Sequence, residues 1–243
     1  MEPWKFDTAT DFGLSPRARL SSLRREEGLF GGIVHLAWSL LSRAYLKAAH
    51  RVRVVGREHL PKSASYVLVA NHTSHLDAIV LSSCVPISQC NRIFPIAAGD
   101  AFFDNLPASI FAALALNALP LWRRKVGTAD LALLRARLGA GQTIYILFPE
   151  GTRARDGVLA PFKGGLGRLV AETSIPVIPC HIDGAFEALS PQRRLPRLCR
   201  IVVTIGAPLL FTAFSDEKKE WLEIARATER AVRSLAGQAA GTA

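Results

Sequence analysis

Few of the features that fix a function at first sight occur in this sequence. Its four cysteines, Cys84, Cys90, Cys180 and Cys199, are spaced too irregularly for a zinc knuckle or a CxxC redox pair. A chain of 243 residues needs no disulfide framework, so they read as reduced, buried small hydrophobes of a cytosol-facing protein. No G-x-S-x-G nucleophile elbow occurs. The opening residues, MEPWKFDTATDFG, carry acids and no basic start ahead of an apolar core, so no secretory signal is expected. Neither an internal repeat nor a low-complexity linker is present. Acids are scarce: 20 Asp and Glu stand against 30 Lys and Arg, a net charge of +10. That balance points to anionic partners, whether phosphate esters, anionic lipid or nucleic acid, and its sign does not separate the three.

Long hydrophobic runs are also lacking. Residues 29–42, LFGGIVHLAWSLLS, carry no formal charge, but Arg43 and Lys47 stop the run short of the roughly 20 apolar residues a spanning helix needs. Two readings stay open. With Arg24 and Arg25 before it and Arg43, Lys47 and Arg51 after it, the segment suits a headgroup layer, apolar face down; equally, it suits packing on the domain's own core. A second uncharged stretch, 105–122, is interrupted by Pro107 and Pro120 and reads as a buried or interfacial helix.

What is present is an alternation of short β-branched runs and helical patterns. Strands are predicted at RVRVV (51–55), YVLVA (66–70), RIFPIAA (92–98), TIYILF (143–148), IPVIPCHI (175–182) and CRIVVTI (199–205). Helices are predicted over 130–138, 166–173 and 216–235, the last with Trp221, Ile224, Thr228, Val232 and Leu235 at helical spacing. The pattern implies an α/β fold, a single mixed or parallel sheet layered with helices. Residues 1–50 are expected to form an N-terminal tail (1–28) and an apolar membrane-associating helix, and residues 51–243 the main domain. PQRRLP (191–196) is the expected exposed loop.

Two predicted strands run out into polar loops, and ligands of open α/β sheets bind at that carboxyl edge. YVLVA delivers NHTSHLD (71–77), and TIYILF delivers PEGTR (149–153). If the strands are parallel neighbours, the loops meet in one crevice. In the first loop, Ser74 and Asp77 have the spacing of a capping box. His72 and Asp77 also stand five apart across a strand-to-helix turn, where the imidazole can fold back onto the carboxylate. A histidine so oriented keeps its other nitrogen as a base, and imidazole titrates near ~6.5 in water, which suits proton transfer at neutral pH. Capping and catalysis are equally consistent with these residues alone. In the second loop, Glu150 precedes Gly151 and Thr152, and Arg153 brings a planar donor fork for phosphate or carboxylate. Lys163, Gly164 and Gly165 then open a helix, adding a cation and free backbone N–H groups.

These residues resemble the glycerolipid acyltransferases of the 1-acyl-sn-glycerol-3-phosphate acyltransferase type. The NHxSxxD motif of that family is matched by Asn71, His72, Ser74 and Asp77, FPEGTR by residues 148–153, and the IPVIP-like strand by residues 175–179. The arginine of the remaining motif is matched in LPLWRR by Arg123, or by Arg124 one position on. The resemblance runs from about residue 51 to 184. It implies acyl transfer without an acyl-enzyme: His72 as general base on the acceptor hydroxyl, steered by Asp77, against the thioester of acyl-CoA or acyl-carrier protein as co-substrate. Asn71, Ser74, Arg123, Glu150, Gly151, Thr152, Arg153 and Lys163 are the implied substrate-binding set, with lysophosphatidic acid as acceptor and phosphatidic acid as product. Another lysolipid, a lysophospholipid or a lyso-ornithine lipid, is the alternative acceptor. The resemblance implies no metal, no cofactor and no nucleic acid, and places the chain as a peripheral or monotopic protein on the cytoplasmic face of the cell membrane. Two rivals predict otherwise. A metal site built on His72, His75 and Asp77 lacks the H-x-H-x-D-H spacing, and a non-enzymatic basic membrane module leaves FPEG without a role.

Overall fold

YVLVA becomes the centre of the molecule because both of its faces are covered. A computed structural model describes residues 9–26, 28–122 and 127–239. Its strands are β1 (Arg53–Val55), β2 (Tyr66–Ala70), β3 (Ile93–Ala98), β4 (Leu119–Leu121), β5 (Ile144–Leu147), β6 (Val177–Asp183) and β7 (Val202–Ile205). They form one seven-stranded sheet in the order β1-β7-β6-β2-β5-β3-β4. Neighbours are parallel except β6 and β7, which are antiparallel. The helices are α1 (Pro16–Leu20), α2 (Leu29–His50), α3 (Asp77–Cys84), α4 (Gly99–Phe102), α5 (Leu106–Ile110), α6 (Thr128–Gly139), α7 (Gly165–Val170), α8 (Ala185–Leu189) and α9 (Lys218–Ala239).

Tyr66, Leu68 and Ala70 of β2 share one core with Leu46 of α2 and with Val80 and Leu81 of α3. Val67 and Val69 point the other way, into a core with Leu134 of α6, Leu166 of α7 and Ile224 of α9. A strand buried on both faces reads as a continuous apolar run, as this one does. Each such side chain contributes about 1.5–3 kcal/mol. Helix α9 is admitted close to α7 by Gly167, where a Cβ would strike the backbone of Trp221. Beyond residue 183, β7 completes the sheet and α9 packs on it. The cysteines are free; Cys84, Cys90 and Cys180 are buried and Cys199 is half-buried.

Three expectations need correction. The stretch 105–122 is not one helix: it holds α5, a π-helical turn (Phe111–Ala115) and then β4. Pro107 starts α5 rather than breaking it, with Asn105 Oδ1 accepting from Ala108 N at 2.9 Å. Pro120 is tolerated because β4 is an edge strand. Nor is the region before residue 28 a tail where it is described. Arg25 is buried and donates to Asn117 Oδ1 at 2.9 Å. The Arg137 guanidinium donates to the carbonyls of Leu23 and Arg25 at 3.1 and 2.8 Å while lying over the Phe94 ring.

The third correction concerns α2, which continues through Arg43 and Lys47 to His50 and, at 22 residues, is long and apolar enough to cross a membrane. Its polarity is reversed relative to an ordinary core helix. The buried stripe is His35, Ser39, Ser42, Leu46 and His50; Leu29, Phe30, Ile33, Leu36, Leu40 and Leu41 face outward. Arg43 holds the helix to the body by donating to the carbonyls of Ser82, Ser83 and Val85 at 2.7–2.9 Å. Helix packing and an apolar outer face, two readings the sequence left open, thus occupy opposite sides of one helix.

Candidate active site

The strand pairing that the crevice required is present. β2 and β5 are parallel neighbours with Val69 opposite Leu147, so NHTSHLD and PEGTR leave the same sheet edge side by side. Asn71 ties the end of β2 to β6: its Nδ2 donates to Ile182 O at 2.9 Å and its Oδ1 accepts from Ile182 N at 2.8 Å.

The first loop closes on a single carboxylate oxygen. Asp77 Oδ2 accepts from His72 Nδ1 at 2.8 Å, Thr73 N at 2.7 Å and Ser74 N at 2.8 Å. Asp77 is wholly buried and His72 is 22% exposed at its side chain. The carboxylate requires the proton on Nδ1, which leaves Nε2 with its lone pair toward the crevice. The Phe148 ring stacks on the imidazole, 4.1 Å between centroids and 15° between planes, which restricts rotation of the base. The capping box forms only in part: Asp77 accepts from Ser74 N, but α3 begins at Asp77 itself, and Ser74 Oγ donates to Leu189 O at 2.8 Å and accepts from Leu76 N at 3.1 Å.

The second loop is stitched to the first. Glu150 Oε1 accepts from His72 N at 2.6 Å and Oε2 from Ala160 N at 2.9 Å. Ala154 N donates to His72 O at 2.8 Å. Burial raises the Glu150 carboxyl above its ordinary range, and the two N–H donors oppose that rise. Gly151 has φ +76°, and a Cβ there would stand 2.7 Å from Lys163 Nζ. A side chain there would be strained by the backbone and would push the ammonium aside. Lys163 N donates to Pro149 O at 3.0 Å, while Thr152 is exposed. The Arg153 guanidinium lies against the His75 ring. Burial followed by the Arg153 charge lowers His75, and burial lowers Arg153. The lowered basicity of both groups fits a His75 ring facing the Arg153 guanidinium.

The structure thus brings His72, Asp77, Glu150, Gly151, Arg153 and Lys163 together at one edge. Of the expected substrate-binding set, Asn71, Ser74 and Glu150 are buried with polar atoms bonded to the scaffold. Arg123 and Arg124 lie outside the described residues; Trp122 before them packs on Gly99. Sequence reasoning missed three groups. One is Phe148 as ring partner. The others are on α9: Glu229 Oε2 accepts from Phe162 N at 2.9 Å, and Arg233, paired with Glu229, donates to Leu159 O at 2.9 Å. They clamp the segment that supplies Ala160 and Lys163. No local signal marks them, because their partners lie 67 and 74 residues away. His50 and His59 bond carbonyls of Cys199 and Ile205, a structural role.

A histidine and a carboxylate five apart, joined through Nδ1 beside an FPEGTR turn, agree with the match of residues 51–183, more than half the chain, to the acyltransferase family model. The chain belongs to the acyltransferase family. Relatives include 1-acyl-sn-glycerol-3-phosphate acyltransferase alpha of Mus musculus, 30% identical over 68% of this chain and 57% of that protein. The Homo sapiens protein of the same name is 32% identical over 53% and 44%. A 1-acyl-sn-glycerol-3-phosphate acyltransferase of Limnanthes douglasii is 27% identical over 55% and 45%. The chain spans about half the length of these curated relatives. The crystal structure of the 1-acyl-sn-glycerophosphate acyltransferase PlsC from Thermotoga maritima shares the fold, with a TM-score of 0.64 at 24% identity over 84% of this chain and 79% of that one. All the residues of the crevice up to Lys163 fall inside the acyltransferase match, while the α9 clamp lies outside it.

Proposed function

We propose that this acyltransferase moves a fatty acyl group from acyl-CoA or acyl-carrier protein to the free hydroxyl of lysophosphatidic acid, giving phosphatidic acid. The observation that carries the reading is the 2.8 Å bond from His72 Nδ1 to a buried Asp77. His72 Nε2 takes the acceptor's hydroxyl proton as its oxygen attacks the thioester carbonyl carbon. The tetrahedral intermediate collapses, the C–S bond breaks, and the imidazolium returns the proton to the departing sulfur. Asp77 holds the productive tautomer throughout and stabilises the imidazolium. Atoms and charge balance without a metal, a cofactor or an acyl-enzyme.

Arg153 and Lys163, with Thr152 and the backbone of Gly151, line the side that receives the acceptor phosphate, a role assigned to Arg123 by its motif alone. Guanidinium forks suit a phosphate monoester through paired, charge-assisted bonds. The outward apolar stripe of α2 supports a peripheral or monotopic placement on the cytoplasmic face of the membrane, where acceptor and product reside. Wild type and His72→Ala, incubated with labelled acyl-CoA and a panel of lysophosphatidate, lysophospholipids and lyso-ornithine lipid, test the reading. Acylation of lysophosphatidate by wild type alone is expected. Equal product from the variant removes the base; preference for another lysolipid moves the acceptor.

A further inference from the structure

Segment 190–200, between α8 and β7, places apolar and basic side chains together outside the core. Leu195 and Leu198 are 79% and 81% exposed. Arg193, Arg194, Arg197 and Arg200 surround them, all exposed, and no acid occurs from residue 188 to 200. The segment is shaped rather than loose, with Arg193 N donating to Ser190 O at 3.0 Å and Arg197 N to Ala188 O at 2.8 Å.

Its two ends have definite neighbours. At the start, Leu189 O accepts from Ser74 Oγ at 2.8 Å and His75 N at 3.3 Å, and Gln192 Nε2 donates to Arg155 O at 2.9 Å. Both catalytic loops therefore touch its base. At the finish, Cys199 O meets His50 Nδ1 at 3.2 Å, at the end of α2. The segment spans from the mouth of the crevice to the helix whose apolar stripe faces outward.

We propose that residues 190–198 dock on an anionic phospholipid surface, with Leu195 and Leu198 in the headgroup–acyl boundary and the arginines on lipid phosphates. The mouth of the His72 crevice then opens at the lipid surface. An acidic carrier protein would engage the arginines alone. Leucines interleaved with arginines match a surface that is anionic above and apolar below. The purpose of this contact rests on the lipid acyl-transfer reading; the contact itself is measured without it.

The test is co-sedimentation of the full chain with vesicles of phosphatidylcholine alone or mixed with phosphatidylglycerol, at low and high salt. Leu195→Ser/Leu198→Ser is expected to lower the partition coefficient on both vesicle types by roughly tenfold. Arg193→Gln/Arg194→Gln/Arg197→Gln is expected to weaken binding to the anionic vesicles only and to flatten its salt dependence. Both keep the wild-type melting curve and wild-type acylation of a soluble short-chain lysophosphatidate. Wild-type partition in both variants overturns the proposal, as does unchanged vesicle binding accompanied by weaker binding of acyl-carrier protein. Failure of the reaction itself appears instead as acylation by His72→Ala, so the two ideas fall separately.

Discussion

The loop after β2 and the loop after β5 reach one crevice by different means. NHTSHLD is closed locally: Asp77, five residues from His72, gathers the imidazole and two backbone N–H groups on one oxygen. FPEGTR and the segment following it are held from a distance, by His72 N on Glu150 and by Glu229 and Arg233 of α9 on residues 159–162. On the proposed reading, the proton-handling half is thus written in a heptapeptide, while the half assigned to the acceptor phosphate is a product of tertiary assembly.

That contrast is most directly broken at His72. His72→Ala is expected to lower kcat by about 10²–10⁴-fold with little change in melting temperature, since Asp77 keeps its two backbone donors. A variant that instead fails to fold would make the first loop a structural closure and not a catalytic one. Next in size is Arg153→Ala, which should raise KM for a phosphate-bearing acceptor about ten- to a hundredfold, the effect of ~1.5–3 kcal/mol from lost charged hydrogen bonds. Arg153→Lys should recover only part, because an ammonium lacks the fork; an unchanged KM in both would move the acceptor phosphate elsewhere.

Glu150→Gln probes the seam between the loops. An amide cannot accept from both His72 N and Ala160 N, so urea melts should show a loss of about 1–3 kcal/mol. The same substitution carries a pH signature. Burial raises the folded carboxyl above its unfolded value, so between the two values the folded chain holds a proton that the unfolded chain has released. Stability contributed by this group therefore falls as pH rises through that window. Glu150→Gln removes that slope, which melts at several pH values will read. Smallest is the clamp. Glu229→Ala should raise acceptor KM a few-fold at nearly constant kcat, about 1 kcal/mol, and Glu229→Gln, still able to accept from Phe162 N, should restore it. A kcat loss equal in both variants would mean that α9 supports the base as well.

Legibility followed the same division. β2 was readable to the residue, because a strand buried on both faces is a short, unbroken β-branched run. The His72–Asp77 pair was readable because its partners are close in sequence. β4 was not: three residues with a proline inside an uncharged stretch carry no strand period, and only the edge position beside β3 makes them a strand. The docking of Arg25 on Asn117 and of Leu23 and Arg25 on Arg137 was invisible for a related reason, since an arginine's partner 92 or 112 residues away leaves no local trace. Asn71, Ser74 and Glu150 were legible as belonging to the site, but their bonds to the scaffold were not.

By itself the sequence determined the alternation of strands and helices, the histidine with its carboxylate partner, and the apolar and basic character of the surface. These depend on neighbours within a few residues or on composition, which the chain carries unfolded. Strand order, the outward turn of the α2 apolar stripe and the α9 clamp on the second loop were decided only by folding. Each is a pairing of groups far apart along the chain, fixed by which faces must be buried and which backbone donors must find acceptors.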